Sequence, residues 1–151
     1  MSVFNADNFL SASVTGANDT KRTLVPEAEY KAYVDDLKAR TVKGNSGDET
    51  PVLDVFLLIP DEKVASALGL EKITVNDSMF IDMDENGNIA FGPNKNIRLG
   101  QLRDAVGQND PKKPWSPMML KGMGPFMVKI THSKPNDQGE VFLRVQRYAK
   151  A

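Results

Sequence analysis

The sequence predicts a mainly β fold, five strands with a few short helices inserted between them. Three features carry that expectation. Several stretches alternate apolar or β-branched residues with polar ones, at the period of a half-buried strand. The connections between them are rich in Gly, Pro and Asn. The helix-like spacings are short and bounded by capping residues and glycine.

The elements follow in order. Residues 1–25 are rich in Asn, Ser, Thr, Ala and Gly, with one apolar cluster of Val3, Phe4, Phe9 and Leu10. They read as a loosely held, flexible arm whose aromatics dock somewhere. Pro26 opens a single domain spanning residues 26–151. Over residues 28–42 Tyr30, Ala32 and Val34 alternate with charged residues, and Asp35-Asp36 interrupts the alternation as a bulge or bend would. VLDVFLLI, residues 52–59, has Asp54 as its only polar residue and reads as a strand buried on both faces.

Asp61 as N-cap and Gly69 past the end bracket a short helix over 62–68. Strand chemistry returns over 72–83, with a short partner at 88–91. A helix over 97–106 presents Leu99, Leu102 and Val106 on one face, between Asn96 and Gly107. Ser116-Pro117 followed by Gly122 marks a helical turn. Strands over 125–133 and 140–148 close the chain. In the last one Val141, Leu143 and Val145 face one way, and Phe142, Arg144, Gln146 and Tyr148 the other, with Arg147 breaking the alternation. Five strands with a helix between the third and fourth is the chain order of an OB-fold, so the expected architecture is a five-stranded OB-fold-like Greek-key barrel with inserted helices.

A chain of 151 residues forms one domain burying roughly two-thirds of its unfolded surface. The net charge of −1 conceals an asymmetry. Residues 1–94 hold 8 Lys and Arg against 16 Asp and Glu, whereas residues 95–151 hold 11 against 4. Such a split marks either a polyanion-binding face or internal pairing of an acidic half with a basic one.

Catalytic material is scarce. There is no cysteine, which excludes disulfides, thiolate metal sites and thiol nucleophiles. His132 is the single histidine and falls inside a strand, at the surface or the barrel mouth. No nucleophile elbow, phosphate-binding loop or dinucleotide fingerprint occurs. The protein is expected to be no enzyme and to need no cofactor or metal. No apolar stretch approaches the ~20 residues that cross a bilayer, and no signal pattern opens the chain. It is therefore expected away from membranes, in the cytoplasm.

DMDENGN, residues 82–88, offers one exception to weigh. Asp82, Asp84, Asn86 and Gly87 match the opening of an EF-hand loop. Ala90 and Pro93 stand where its ninth and twelfth ligands should be, and the flanks are strand-like rather than helical. Asn86-Gly87 is instead expected to form a two-residue type I′ hairpin turn, with positive φ at both residues.

Basic and aromatic residues give the strongest functional signal. Residues 94–115, NKNIRLGQLRDAVGQNDPKKPW, bring Lys95, Arg98, Arg103, Lys112 and Lys113 close to Trp115, the only tryptophan. Single-strand binders need cations to follow phosphates and rings on which bases stack. Tyr33, Lys38, Arg40 and Lys43 fall where they could line a groove beside the second and third strands, as OB-folds use. Arg144, Arg147 and Tyr148 of the last strand complete the candidate set. Trp115 has two readings, a plug at the barrel end or a stacking platform.

The segments VPEAEYKAYVDDLKAR, NIRLGQLRDAVGQN, PWSPMMLKGMGPFMVKITHS and VFLRVQRYAK resemble phage-encoded OB-fold proteins of replication and recombination modules. The likeness runs from Pro26 onward. It implies sequence-tolerant binding of single-stranded DNA in the host cytoplasm, and contact with a phage recombinase or polymerase. One departure is the basic end, Arg147 to Lys150, where many such proteins carry an acidic tail that recruits partners. A different reading is a virion structural or assembly protein that uses a β-barrel for protein contacts and forms a homo-oligomer by exchanging the N-terminal arm.

Overall fold

The computed structural model describes residues 4–151, and Val3 of the arm's apolar cluster lies outside them. A five-residue helix, α1 (Ala6–Leu10), is followed by β1 (Ala28–Lys43), β2 (Glu49–Ile59), α2 (Glu62–Ala67) and β3 (Ile73–Phe80). Then come α3 (Ile97–Ala105), a 3-10 turn (Pro117–Leu120), β4 (Phe126–His132) and β5 (Leu143–Lys150). The strands form one antiparallel sheet in the order β3-β2-β1-β4-β5.

β1 organises the sheet because it is long enough to serve two partners. Its first residues, Ala28 to Ala32, pair with Ile130 to Phe126 of β4. From Tyr33 onward it pairs with β2. Between the two lies a bulge: the register passes from Val34–Leu57 to Asp36–Phe56, leaving Asp35 unopposed. The acidic pair is thus the interruption that the alternation announced. The bulge also shifts the parity of β1, so that Tyr33 and Lys38, odd and even in number, share one face.

Val34 has a third neighbour. Its N–H donates to the Met123 carbonyl at 2.9 Å, and its own carbonyl accepts from Gly122 at 2.7 Å. The segment after the 3-10 turn therefore docks where the two halves of β1 part company. Gly124 makes this possible: a Cβ there would sit 2.7 Å from the Ala32 carbonyl oxygen and 2.7 Å from the Tyr33 ring.

The core lies on the inner face. Tyr30, Ala32 and Val34 of β1 meet Leu53, Val55, Leu57 and Ile59 of β2, and Phe126, Val128 and Ile130 of β4. α3 adds Leu99, Leu102 and Ala105, and the 3-10 turn adds Leu120. Phe126 is fully buried, and deleting such a ring costs about 3–5 kcal/mol.

Four expectations are corrected. First, the sheet does not close into a barrel: β3 and β5 are its two edges, with no backbone bond between them among the described residues. α3 packs against β5, and the side chains of Asp77, Arg98 and Tyr148 occupy the seam. Second, the last strand starts at Leu143, and a bulge opposite Lys129 and Ile130 leaves Gln146 unopposed. That bulge turns Tyr148 inward with Val145, so Tyr148 is buried rather than on the outer face.

Third, β2 is buried on both faces only in part: on its outer face Val52 and Asp54 are buried, whereas Phe56 and Leu58 are half-buried. Fourth, the turn at Asn86-Gly87 is not type I′. Gly87 alone has positive φ, at 79°, and three residues intervene between Asp84 and Asn88, whose backbones bond at 2.7 Å. Asp84 holds the loop by accepting from the N–H groups of Asn86 and Asn88, both at 2.9 Å. A hairpin tip it remains, bridged by Met83 and Ile89.

Residues 4–23 are all exposed. Phe4 and Phe9 pack on each other, ring centroids 5.4 Å apart, and not on the domain. No helix among the described residues is long and apolar enough to cross a membrane.

Candidate nucleic-acid interface

The outer face of β1, β2 and β3 gathers one set of side chains by register. Tyr33 lies opposite Leu58, Asp36 opposite Phe56, Lys38 opposite Asp54 and Arg40 opposite Val52. On the other side of β2, Val52, Asp54, Phe56 and Leu58 face Phe80, Ser78, Asn76 and Thr74. Inner-face partners are the odd-numbered residues of β2, so this set is the even one. It contains three aromatic rings and two cations.

The electrostatics of the face centre on Asp54. Its carboxylate is buried, yet it points away from the core. It accepts from Arg40 Nε at 2.7 Å and from Ser78 Oγ at 2.6 Å. The Arg40 hydrogen bond is the main reason its pKa lies below the usual carboxylate range; burial opposes it, and Ser78 reinforces it. Arg40 is correspondingly held more firmly protonated by the same bond. Lys38 is not spent in this way. Its ammonium lies 5.7 Å from the centre of the Phe56 ring and makes no ion pair within 4.0 Å among the described residues. Phe80, at the end of β3, is 67% exposed.

The expected site residues therefore divide. Tyr33, Lys38 and Arg40 share the outer face. Lys43 lies beyond them at the tip of the β1–β2 hairpin, opposite Glu49. Lys95, Lys112 and Lys113 are exposed on the loops flanking α3. Arg144 and Arg147 are exposed on β5 at the far edge, and Arg147 is paired with Glu29 at 2.5 Å. The Arg147 hydrogen bond is the leading reason that Glu29 titrates below its ordinary range.

Arg98 and Tyr148 are structural instead. Arg98 Nε donates to Asp77 Oδ2 at 2.9 Å, and its Nη2 donates to the Val145 carbonyl. Tyr148 donates to the same Asp77 oxygen at 2.5 Å. Burial first, and then the Asp77 charge, push the Tyr148 hydroxyl well above the ordinary tyrosine pKa.

Trp115 packs against the core at the end of the loop that follows α3. It is half-buried, and its indole N–H donates to Gln108 Oε1 at 2.8 Å. The Arg103 guanidinium covers one face of the ring at 4.2 Å. His132 is also tied in, its Nε2 lying 2.7 Å from the Val25 carbonyl oxygen.

Phe56, Phe80 and the steering carboxylate Asp54 were not in the expected set. The signal was present for two of them: Asp54, Phe56 and Leu58 recur at period 2 inside the run that reads as uniformly buried. No protein-family model matches the chain, and no curated protein matches it.

Proposed function

We propose that the protein binds single-stranded DNA, with little sequence preference, across the outer face of β1, β2 and β3. The observation that carries this reading is the placement of Lys38 over Phe56, with Tyr33 and Phe80 on the same face. A ring with an unspent cation beside it meets both needs of a single strand, a stacking surface and a phosphate counter-charge. Each stacked base contributes about 1–3 kcal/mol by alanine substitution.

The strand order supports the reading further. β3-β2-β1-β4-β5 is the order of an OB-fold opened between β3 and β5, and OB-folds bind oligonucleotides on the face of strands 2 and 3. We read the sheet as that fold in an open form. Tyr33, Lys38, Arg40, Phe56 and Phe80 are the contact residues, and Lys43 extends the track along the hairpin. Phage replication or recombination is the setting that the sequence resemblance implies.

Fluorescence anisotropy of a labelled oligo-dT at low salt tests this. Binding at micromolar protein that weakens steadily with added salt is the expected result, because phosphate contacts release counterions. Anisotropy that stays at the free-oligonucleotide value throughout the titration would contradict it.

A further inference from the structure

A second surface lies at the β3 edge, and it matches a segment of the chain itself. A cleft of about 410 Å³ runs between Asp77–Ile81 on one side and Asn94–Leu99 on the other. Its rim is apolar and open: Phe80 is exposed, and Ile97 is 58% exposed. Phe91 is 87% exposed and follows Ala90, whose carbonyl is bonded to Asn96 within the same wall.

The floor of the cleft is an unpaired strand edge. Ile81 donates to the Pro51 carbonyl of the neighbouring chain segment. The alternation of antiparallel pairing then turns the backbone groups of Ser78 and Phe80 away from β2. No backbone bond to either group on that side occurs among the described residues. An open edge beside exposed apolar side chains is a template for an added strand. On β5 the corresponding edge is blunted, since Arg98 caps the Val145 carbonyl.

The arm supplies complementary chemistry. Phe4, Phe9, Leu10 and Val14 are all exposed, and none of them touches the domain core. Residues 13–24 make no hydrogen bond to the domain before Val25, which is buried. From Val14 to Val25 the chain can extend about 36–40 Å, enough to reach a neighbouring molecule. Residues 11–15, SASVT, contain no proline and include Val14 and Thr15, both suited to a strand.

We infer that the N-terminal arm of a second copy docks in this cleft, with Phe9 and Leu10 against Phe80 and Ile97 and residues 11–15 paired to the β3 edge. Reciprocal exchange of two arms closes a two-fold dimer. Burying Phe9 removes about 150–250 Å² from one arm, and Leu10 and the paired residues 11–15 add to it. Counting the receiving surfaces and both arms, the total clears the roughly 1,000 Å² that a specific interface needs. The cleft shares Phe80 with the proposed DNA face, so a docked arm would withdraw that ring from stacking; the test below uses no nucleic acid and reads the arm alone.

The absence of cysteine makes the test clean. Leu10→Cys and Ile97→Cys full-length chains are mixed under mild oxidation, with Leu10→Cys and Lys112→Cys as the control pair. A disulfide-linked dimer of the first pair and none of the second is the expected outcome. Sedimentation equilibrium runs alongside, and Phe9→Glu should weaken the dimer about tenfold or more while leaving the circular dichroism of the fold unchanged. Equal cross-linking of both pairs would overturn the proposal. So would a wild-type monomer throughout the micromolar range, or a dimer indifferent to Phe9→Glu.

Discussion

Tyr148 Oη donates to Asp77 Oδ2 at 2.5 Å, across the seam that backbone hydrogen bonds leave open between β5 and β3. Arg98, from α3, donates to the same carboxylate and to the Val145 carbonyl. A buried acid is thereby held by two donors from elements far apart in the chain. Side chains fasten the two edges that strand pairing does not.

Tyr148→Phe removes one donor and leaves Asp77 buried with Arg98 alone. The expected loss is about 1.5–3 kcal/mol of folding stability, the range for a hydrogen bond to a charged group. Urea denaturation at neutral pH measures it. A midpoint equal to wild type would mean that the Tyr148–Asp77 bond contributes nothing.

The raised pKa of Tyr148 gives this bond a pH signature. The folded state holds the phenolic proton more tightly than the unfolded state does. The resulting stability is complete below the ordinary tyrosine pKa of about 10 and declines as pH rises above it, by up to ~1.4 kcal/mol per pH unit. Wild type should therefore lose stability more steeply than Tyr148→Phe in alkaline denaturation series. Parallel curves for the two proteins would contradict the assignment.

Asp54 should show opposed effects on folding and binding. Asp54→Asn weakens the bonds to Arg40 and Ser78 and is expected to cost about 1–3 kcal/mol of stability. It also removes a negative charge from the proposed DNA face and releases the Arg40 guanidinium. Oligo-dT affinity, measured by anisotropy at low salt, should rise. Affinity that falls in a variant still folded would mean that Asp54 serves binding by orienting Arg40.

Gly124→Ala forces a methyl group to within 2.7 Å of the Ala32 carbonyl oxygen and the Tyr33 ring, at a backbone φ of +144°. A destabilisation of about 1–3 kcal/mol is expected. The measurement is thermal unfolding by circular dichroism. An unchanged transition would mean that this approach relaxes without cost.

Much of the β architecture was legible in the sequence, because burial on a strand writes itself at period 2. BeBeBeBe along β3 and the interruption at Asp35-Asp36 are both direct readings of side-chain chemistry. What failed has a common physical cause in long-range partners. Asp77 occupies an inward position that no local rule allows a carboxylate, and only Arg98 and Tyr148, distant in sequence, make it tolerable. The β5 bulge that turns Tyr148 inward appeared locally as a misplaced Arg147. Closure of a barrel depends on whether β3 and β5 meet, and neither strand carries that information alone.

The same reasoning separates the candidate site. Lys38 and Tyr33 share a face only because of the bulge between them, which parity counting alone misses. Trp115, read as either plug or platform, packs half-buried against the core, with Arg103 over its ring and Gln108 on its indole N–H.

The most direct measurement is a two-dimensional amide NMR titration of the labelled protein with oligo-dT. Shifts concentrated at Tyr33, Lys38, Arg40, Phe56 and Phe80, and abolished by a Lys38→Glu and Phe56→Ala double variant, are the expected result. Absence of shifts, or shifts confined to β4, β5 and the loops around Lys112 and Trp115, would contradict binding on the β1–β2–β3 face.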